Sequence, residues 1–79
     1  MIPLYGFVDG DTLGLVVLAR AEQTIAELSK DLQNAASVRV APRPRVELVY
    51  EGRVLDPRST VGEEGLEPLD RIDVRAVRG

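Results

Sequence analysis

The chain has 79 residues, 44% of them hydrophobic and 29% charged, and 10 basic against 13 acidic side chains leave a net charge of -3. A chain of this length buries only roughly 60% of the surface its unfolded form exposes, so one domain over residues 1–79 is expected and a second core is excluded. The ordinary composition argues against disorder and coiled coil, and three aromatic residues without a clustered positive face argue against nucleic acid as a partner.

Residues 2–8, IPLYGFV, alternate so that Ile2, Leu4 and Val8 share one face of a first strand while Tyr5 and Phe7 share the other. Asp9-Gly10-Asp11-Thr12 then supplies a hairpin turn. Leu13 to Ala19 reads as the second strand, with Leu13, Leu15 and Val17 on one side. After Arg20 the period changes: Ile25, Leu28, Leu32 and Ala35 recur at spacings of three and four, and Thr24 with Glu27 matches a capping box. A helix over about 24–36 follows, with Lys30, Gln33 and Asn34 on its outer side.

Pro42 and Pro44 forbid further helix and hold residues 37–45 as a connection back to the sheet. Val46, Leu48 and Tyr50 alternate with Arg45, Glu47 and Val49 in a third strand, turned at Glu51-Gly52. Arg53-Val54-Leu55 makes a short fourth strand, ended by Asp56-Pro57 because proline removes a ladder donor. A polar excursion over 59–68, with Val61 and Leu66 turned inward, leads to a fifth strand over 71–76.

This order resembles the ubiquitin-like β-grasp, an α+β fold in which one helix crosses a mixed five-stranded sheet. The resemblance spans the chain and is most specific in LVYEGRVLDPRST and VGEEGLEPLDRIDVRAVRG. A narrower one is carried by RVAPR at 39–43, by VGEEGLEPLDRIDV at 61–74 and by the opening MIPLYGFVDGDTLGLVVLA. These are similar to the small B, or gamma, subunit of toluene and alkene monooxygenases. That resemblance implies a non-catalytic member of a hetero-oligomeric hydroxylase, docked on a large subunit that carries a carboxylate-bridged diiron centre. It also implies electrons arriving from NADH through a reductase and a Rieske ferredoxin, with a separate effector protein. A ubiquitin-like modifier, or a stand-alone interaction module such as the ubiquitin-like components of bacterial secretion systems, is the alternative. Arg78-Gly79 resembles a modifier terminus, although with a single terminal glycine.

Chemistry in this chain would rest on carboxylates, because it contains no cysteine and no histidine: thiol nucleophiles, His-based triads and the usual transition-metal ligand sets cannot be built. No cofactor is expected in this chain. The acids Glu63, Glu64, Glu67 and Asp70 could serve proton transfer or a hard cation, but they lack the spaced oxygen pattern of a cation loop and read as a solvated surface. Arg39, Arg43 and Arg45 are either exposed charges around a turn or guanidinium forks for a partner's carboxylates. Tyr5 and Phe7 either fold over neighbouring strands or, with Val16 and Leu18, form an outward docking surface. Gly6 and Gly14 mark a sheet bend or a close approach, with no phosphate loop around them. The longest apolar run, Leu15 to Ala19, is far short of the roughly 20 residues of a membrane span. With no basic residue before Arg20 to open a secretory leader, a cytoplasmic protein without membrane contact is expected.

Overall fold

Period-two alternation and one period-3.6 stripe produce five strands and one helix in the computed structural model, which describes residues 1–77. In chain order these are β1 (Ile2–Val8), β2 (Leu15–Ala19), α1 (Ile25–Ala36), β3 (Val46–Tyr50), β4 (Arg53–Val54) and β5 (Arg71–Ala76). The sheet runs β2-β1-β5-β3-β4. β1 and β5 form a central parallel pair, and every other pairing is antiparallel. This is the mixed sheet with a crossing helix of the ubiquitin-like β-grasp. Arg78-Gly79, on which the modifier reading rests, lies outside the described residues.

α1 starts where its sequence says. Thr24 is the N-cap, its hydroxyl accepts from the Glu27 N–H at 3.1 Å, and Glu27 accepts from the Thr24 N–H at 3.0 Å. The Thr24 N–H and hydroxyl, both donating to the Glu27 carboxylate, hold that carboxyl below its usual range. The helix N-terminus is also tied to the loop behind it, with Ile25 N–H donating to the Ser59 carbonyl and Ala26 N–H to that of Pro57. The buried stripe is Ile25, Leu28, Ser29, Leu32 and Ala36. The expected stripe ended on Ala35, which is exposed; Ala36 sits four residues beyond Leu32 and continues the same face.

Against this stripe the sheet presents Leu4, Val8, Ala19, Leu48, Ile72 and Val74, while Leu55, Val61 and Leu66 close the core from the β4–β5 connection. Val61 and Leu66 thus point inward as their spacing suggests. The closest approach is at Gly6 in β1, where Leu32 lies directly over the backbone and a Cβ would run into its side chain. Of the two readings of Gly6, close approach is the one realised.

β2 begins at Leu15, two residues later than the alternation suggests, and Leu13 is exposed. The Asp11 carboxylate explains the delay, because it accepts from the Leu13 N–H at 3.1 Å and turns the chain before pairing starts. Gly14 therefore precedes the strand instead of lying within it. At the other hairpin Glu51 and Gly52 both take positive φ, 51° and 79°, which matches the twist a two-residue turn needs between β3 and β4. β4 ends at Val54, although Leu55 N–H still donates to the Leu48 carbonyl.

Gly6→Ala is expected to cost about 1–3 kcal/mol, the usual penalty for overpacking, because the fully buried Leu32 has nowhere to retreat. Denaturant unfolding of the two proteins checks this, with Gly52→Ala, whose Cβ meets no atom within 4 Å, separating the crowding from the backbone term.

Candidate docking surface

The register that puts Leu4, Val8, Ile72 and Val74 under the helix sends the alternate residues to the opposite face. β1 contributes Pro3, Tyr5 and Phe7, β2 contributes Val16 and Leu18, and β5 contributes Arg71, Asp73 and Arg75. Tyr5 is 43% exposed, Val16 60% and Leu18 61%. With Tyr5 opposite Val16 and Pro3 opposite Leu18, these side chains form one apolar strip along β1 and β2. Tyr5 and Phe7 stack with centroids 5.5 Å apart and ring planes 12° apart. The Arg71 guanidinium lies 4.1 Å from the Phe7 centroid, fixing the second ring from the β5 side.

Beyond the aromatics the face turns polar. Arg71 pairs with Asp73 at 3.1 Å and Arg75 with Glu47 at 2.6 Å, so this half of the face carries charge already matched within the chain. The outward surface therefore joins an apolar strip to a neutralised charge ladder, the arrangement of an apolar interface core with a polar rim. Arg71 is the participant that sequence reasoning missed. Its signal was available in the strict alternation of residues 71–76, which puts Arg71 on the side opposite Ile72.

The three arginines named from the sequence do not gather into one patch. Arg39 grips Asp11, its Nε 3.0 Å from both carboxylate oxygens and a terminal nitrogen 2.7 Å from one of them. The Asp11 side chain is only 2% exposed and that of Arg39 34%, so this fork is spent inside the molecule, tying the β1–β2 loop to the turn after α1. The bond to Arg39 and the Leu13 N–H hold the Asp11 carboxyl below the usual range and push Arg39 upward. Arg43 reaches towards Gly10, and its backbone exchanges hydrogen bonds with the Gln33 amide at 2.7 and 3.3 Å. Arg45 lies beside a groove between α1 and β3. Neither Arg43 nor Arg45 makes an ion pair among the described residues.

The acids of the β4–β5 connection hold the loop together. Glu63 and Thr60 exchange hydrogen bonds at 2.9 and 3.1 Å in a second capping-box arrangement, and Glu64 accepts from Arg53 at 3.0 Å. Asp70 accepts from the Tyr50 hydroxyl at 2.8 Å and from the Glu67 N–H at 2.8 Å. That bond, with burial, pushes the Tyr50 phenol up to about 12. Among the described residues no three acidic side chains converge as a metal site, and no helix is long and apolar enough to cross a membrane.

The family model of toluene-4-monooxygenase system protein B matches residues 1–75. The chain belongs to this family. A chain of the toluene 4-monooxygenase HD complex with the inhibitor 4-bromobenzoate is similar in fold, with TM-score 0.85 and 22% identity over 92% of this chain and 94% of that one. The same fold recurs in a structure concerned with molecular mimicry of SUMO in DNA repair, with TM-score 0.72 and 27% identity over 92% of this chain and 88% of that one. It recurs again in a designed protein based on ubiquitin, with TM-score 0.75 and 25% identity over 99% and 90%. No curated protein matches the sequence.

Asp11→Asn is expected to lower Tm by a few degrees, since the buried side chain keeps its place but loses the charge that Arg39 grips. A carboxyl with a depressed folded pKa contributes stability above its unfolded value, near 3.8, and loses that contribution as pH falls through the folded value. The difference in Tm between the two proteins should therefore be level from pH 5 to 7 and disappear on acidification below about 3.8; a difference unchanged across that range would show that the charge is not what Asp11 contributes.

Proposed function

We infer that this protein is a small accessory subunit of a toluene-type monooxygenase hydroxylase, docking on the large subunits of that assembly. Its family membership over residues 1–75 carries the reading. The strip of exposed Tyr5, Val16 and Leu18, with half-buried Phe7 beside them, supports it by offering a face of the kind partners cover, since monomeric proteins seldom leave such a strip bare. In this reading the whole chain, 1–79, is one domain, it works in the cytoplasm, and it supplies no catalytic group. The diiron centre belongs to the large partner subunit. This chain's own residues do not fit such a centre: it has no histidine, and Glu63, Glu64 and Asp70 are engaged with Thr60, Arg53 and Tyr50. No chemical step is therefore assigned to it.

Docking would bury the aromatic strip at the centre of the contact. Arg43, which makes no ion pair among the described residues, would meet a carboxylate of the partner at the rim, while Arg39 would act indirectly by holding the β1–β2 loop in place. Co-expression with the large hydroxylase subunits is expected to yield a stoichiometric complex that survives gel filtration. Tyr5→Glu combined with Leu18→Glu should abolish co-elution while shifting the Tm of the free subunit by no more than about 3 °C, because both side chains are exposed. A wild-type chain that migrates free of the large subunits, or a double variant that still co-elutes, would count against this face as the docking surface.

A further inference from the structure

We propose that β2 is an interface between two copies of this chain, each adding its edge strand antiparallel to that of the other to make one continuous sheet. This pairing belongs to the free chain and is independent of which assembly the protein joins.

Alternation along β1 decides which main-chain groups of β2 are left over. Tyr5 N–H donates to the Asp70 carbonyl, the Pro3 carbonyl accepts from Leu69 N–H, and Asp9 N–H donates to the Val74 carbonyl, so the odd-numbered residues of β1 turn to the β5 side. Ile2, Leu4 and Gly6 therefore serve β2, through Ala19, Val17 and Leu15. Val16 and Leu18 lie between those partners and direct their N–H and C=O groups to the open side, because β2 ends the sheet. At Arg20 the edge closes, its N–H donating to the Gln23 amide oxygen and its carbonyl accepting from the Gln23 N–H. The strand itself, LVVLA, has neither the proline nor the charge that usually guards an edge. The opposite edge is protected by its brevity, since β4 is only Arg53–Val54.

A second copy matches these groups by symmetry. A two-fold axis at Val17 sets Val16 opposite Leu18 of the other copy and Leu18 opposite its Val16, so every unclaimed group on both edges finds a partner. Val16 and Leu18 also share the outward face, and there the exposed strip of one copy runs on into that of the other. The same axis sets Arg20 opposite Gly14 of the other copy. The space for a side chain at Gly14 is filled by the Tyr5 and Phe7 rings, which a Cβ would strike, so an arriving arginine can lay its stem along aromatic surface and keep its charge in water. Within its own chain Arg20 is held by Glu22 at 3.3 Å, with both side chains largely exposed, a pair worth little, and feels Glu27 only at longer range. Charge favours this edge too. Because β2 carries none, two molecules of net charge -3 meet here with least repulsion, while an acidic or basic segment finds no opposite charge on the strand to select it. Covering one strand edge buries little area, so the dimer is a weak one.

Sedimentation equilibrium and amide hydrogen exchange of the full chain, between about 30 μM and about 1 mM, test the pairing. The mass is expected to rise from monomer towards dimer over that range. Exchange at Val16 and Leu18 should slow at least about threefold as it does, while Leu15 and Val17, already bonded to β1, stay unchanged. Val16→Pro removes an N–H that the monomer leaves unused and should keep the chain monomeric at about 1 mM. Arg20→Ala should weaken pairing about twofold or more, and its exposed position keeps the test independent of how proline affects folding. A monomer at every concentration, a Val16→Pro variant that still pairs, an Arg20→Ala variant that pairs as tightly, or association that leaves Val16 and Leu18 unprotected would each overturn the proposal. Protection of this edge that arises only on adding the large hydroxylase subunits would overturn it as well, in favour of a strand from those subunits.

Discussion

A single helix can cover only one face of a five-stranded sheet, and the surface of this protein follows from that constraint. The stripe Ile25, Leu28, Leu32 and Ala36 occupies the inner face, and Gly6 lets Leu32 settle onto the backbone of β1. That close seat brings the parallel pair of β1 and β5 beneath the helix, with Leu4, Val8, Ile72 and Val74 in the core. Everything of opposite phase on those strands is then sent outward. The outward set is apolar on β1 and β2 and charged on β5, so the same alternation that builds the core also builds a surface with an apolar half and a polar half.

The charged side chains divide by what already holds them. Asp11 and Arg39, Glu47 and Arg75, and Glu64 and Arg53 are internal pairs that tie loops and strands together. Arg43, Arg45 and Lys30 have no such partner among the described residues and are the cations available to another molecule. This sorting matters more than the count of charges, because an arginine already spanning a buried carboxylate would have to break that bond before it could bind anything else. Fold likeness does not by itself choose among roles. A monooxygenase complex chain, a SUMO mimic and a ubiquitin-based design share this architecture at TM-scores of 0.85, 0.72 and 0.75, and the family match over residues 1–75 is what distinguishes this chain among them.

Much was legible in the sequence because the determinants are local. Periodicity marked β1, β2, β3, β5 and the helix, the Thr24–Glu27 box marked the helix start, and Glu51-Gly52 with Asp56-Pro57 bracketed the short β4. Misplaced boundaries have a common cause. The start of β2 depends on Asp11 bonding to both Leu13 and Arg39, and Arg39 is 28 positions away in the chain. The shift of the helix stripe from Ala35 to Ala36 reflects how the last turn settles on the sheet, which spacing alone leaves open by one residue.

From its sequence alone this protein was determined to have one helix and five strands and no histidine or cysteine chemistry, because alternation, capping and composition act through near neighbours or through no geometry at all, while the β-grasp arrangement was what its resemblance implied. Only the tertiary structure decided which arginines remain available, that Arg71 braces Phe7, and that Val16 and Leu18 are left at an open edge. Those outcomes depend on which strands lie side by side and on where distant loops cross. Pairing of residues far apart in the chain is decided by the packed whole, where one carboxylate or one neighbouring strand claims a bond and leaves another unclaimed.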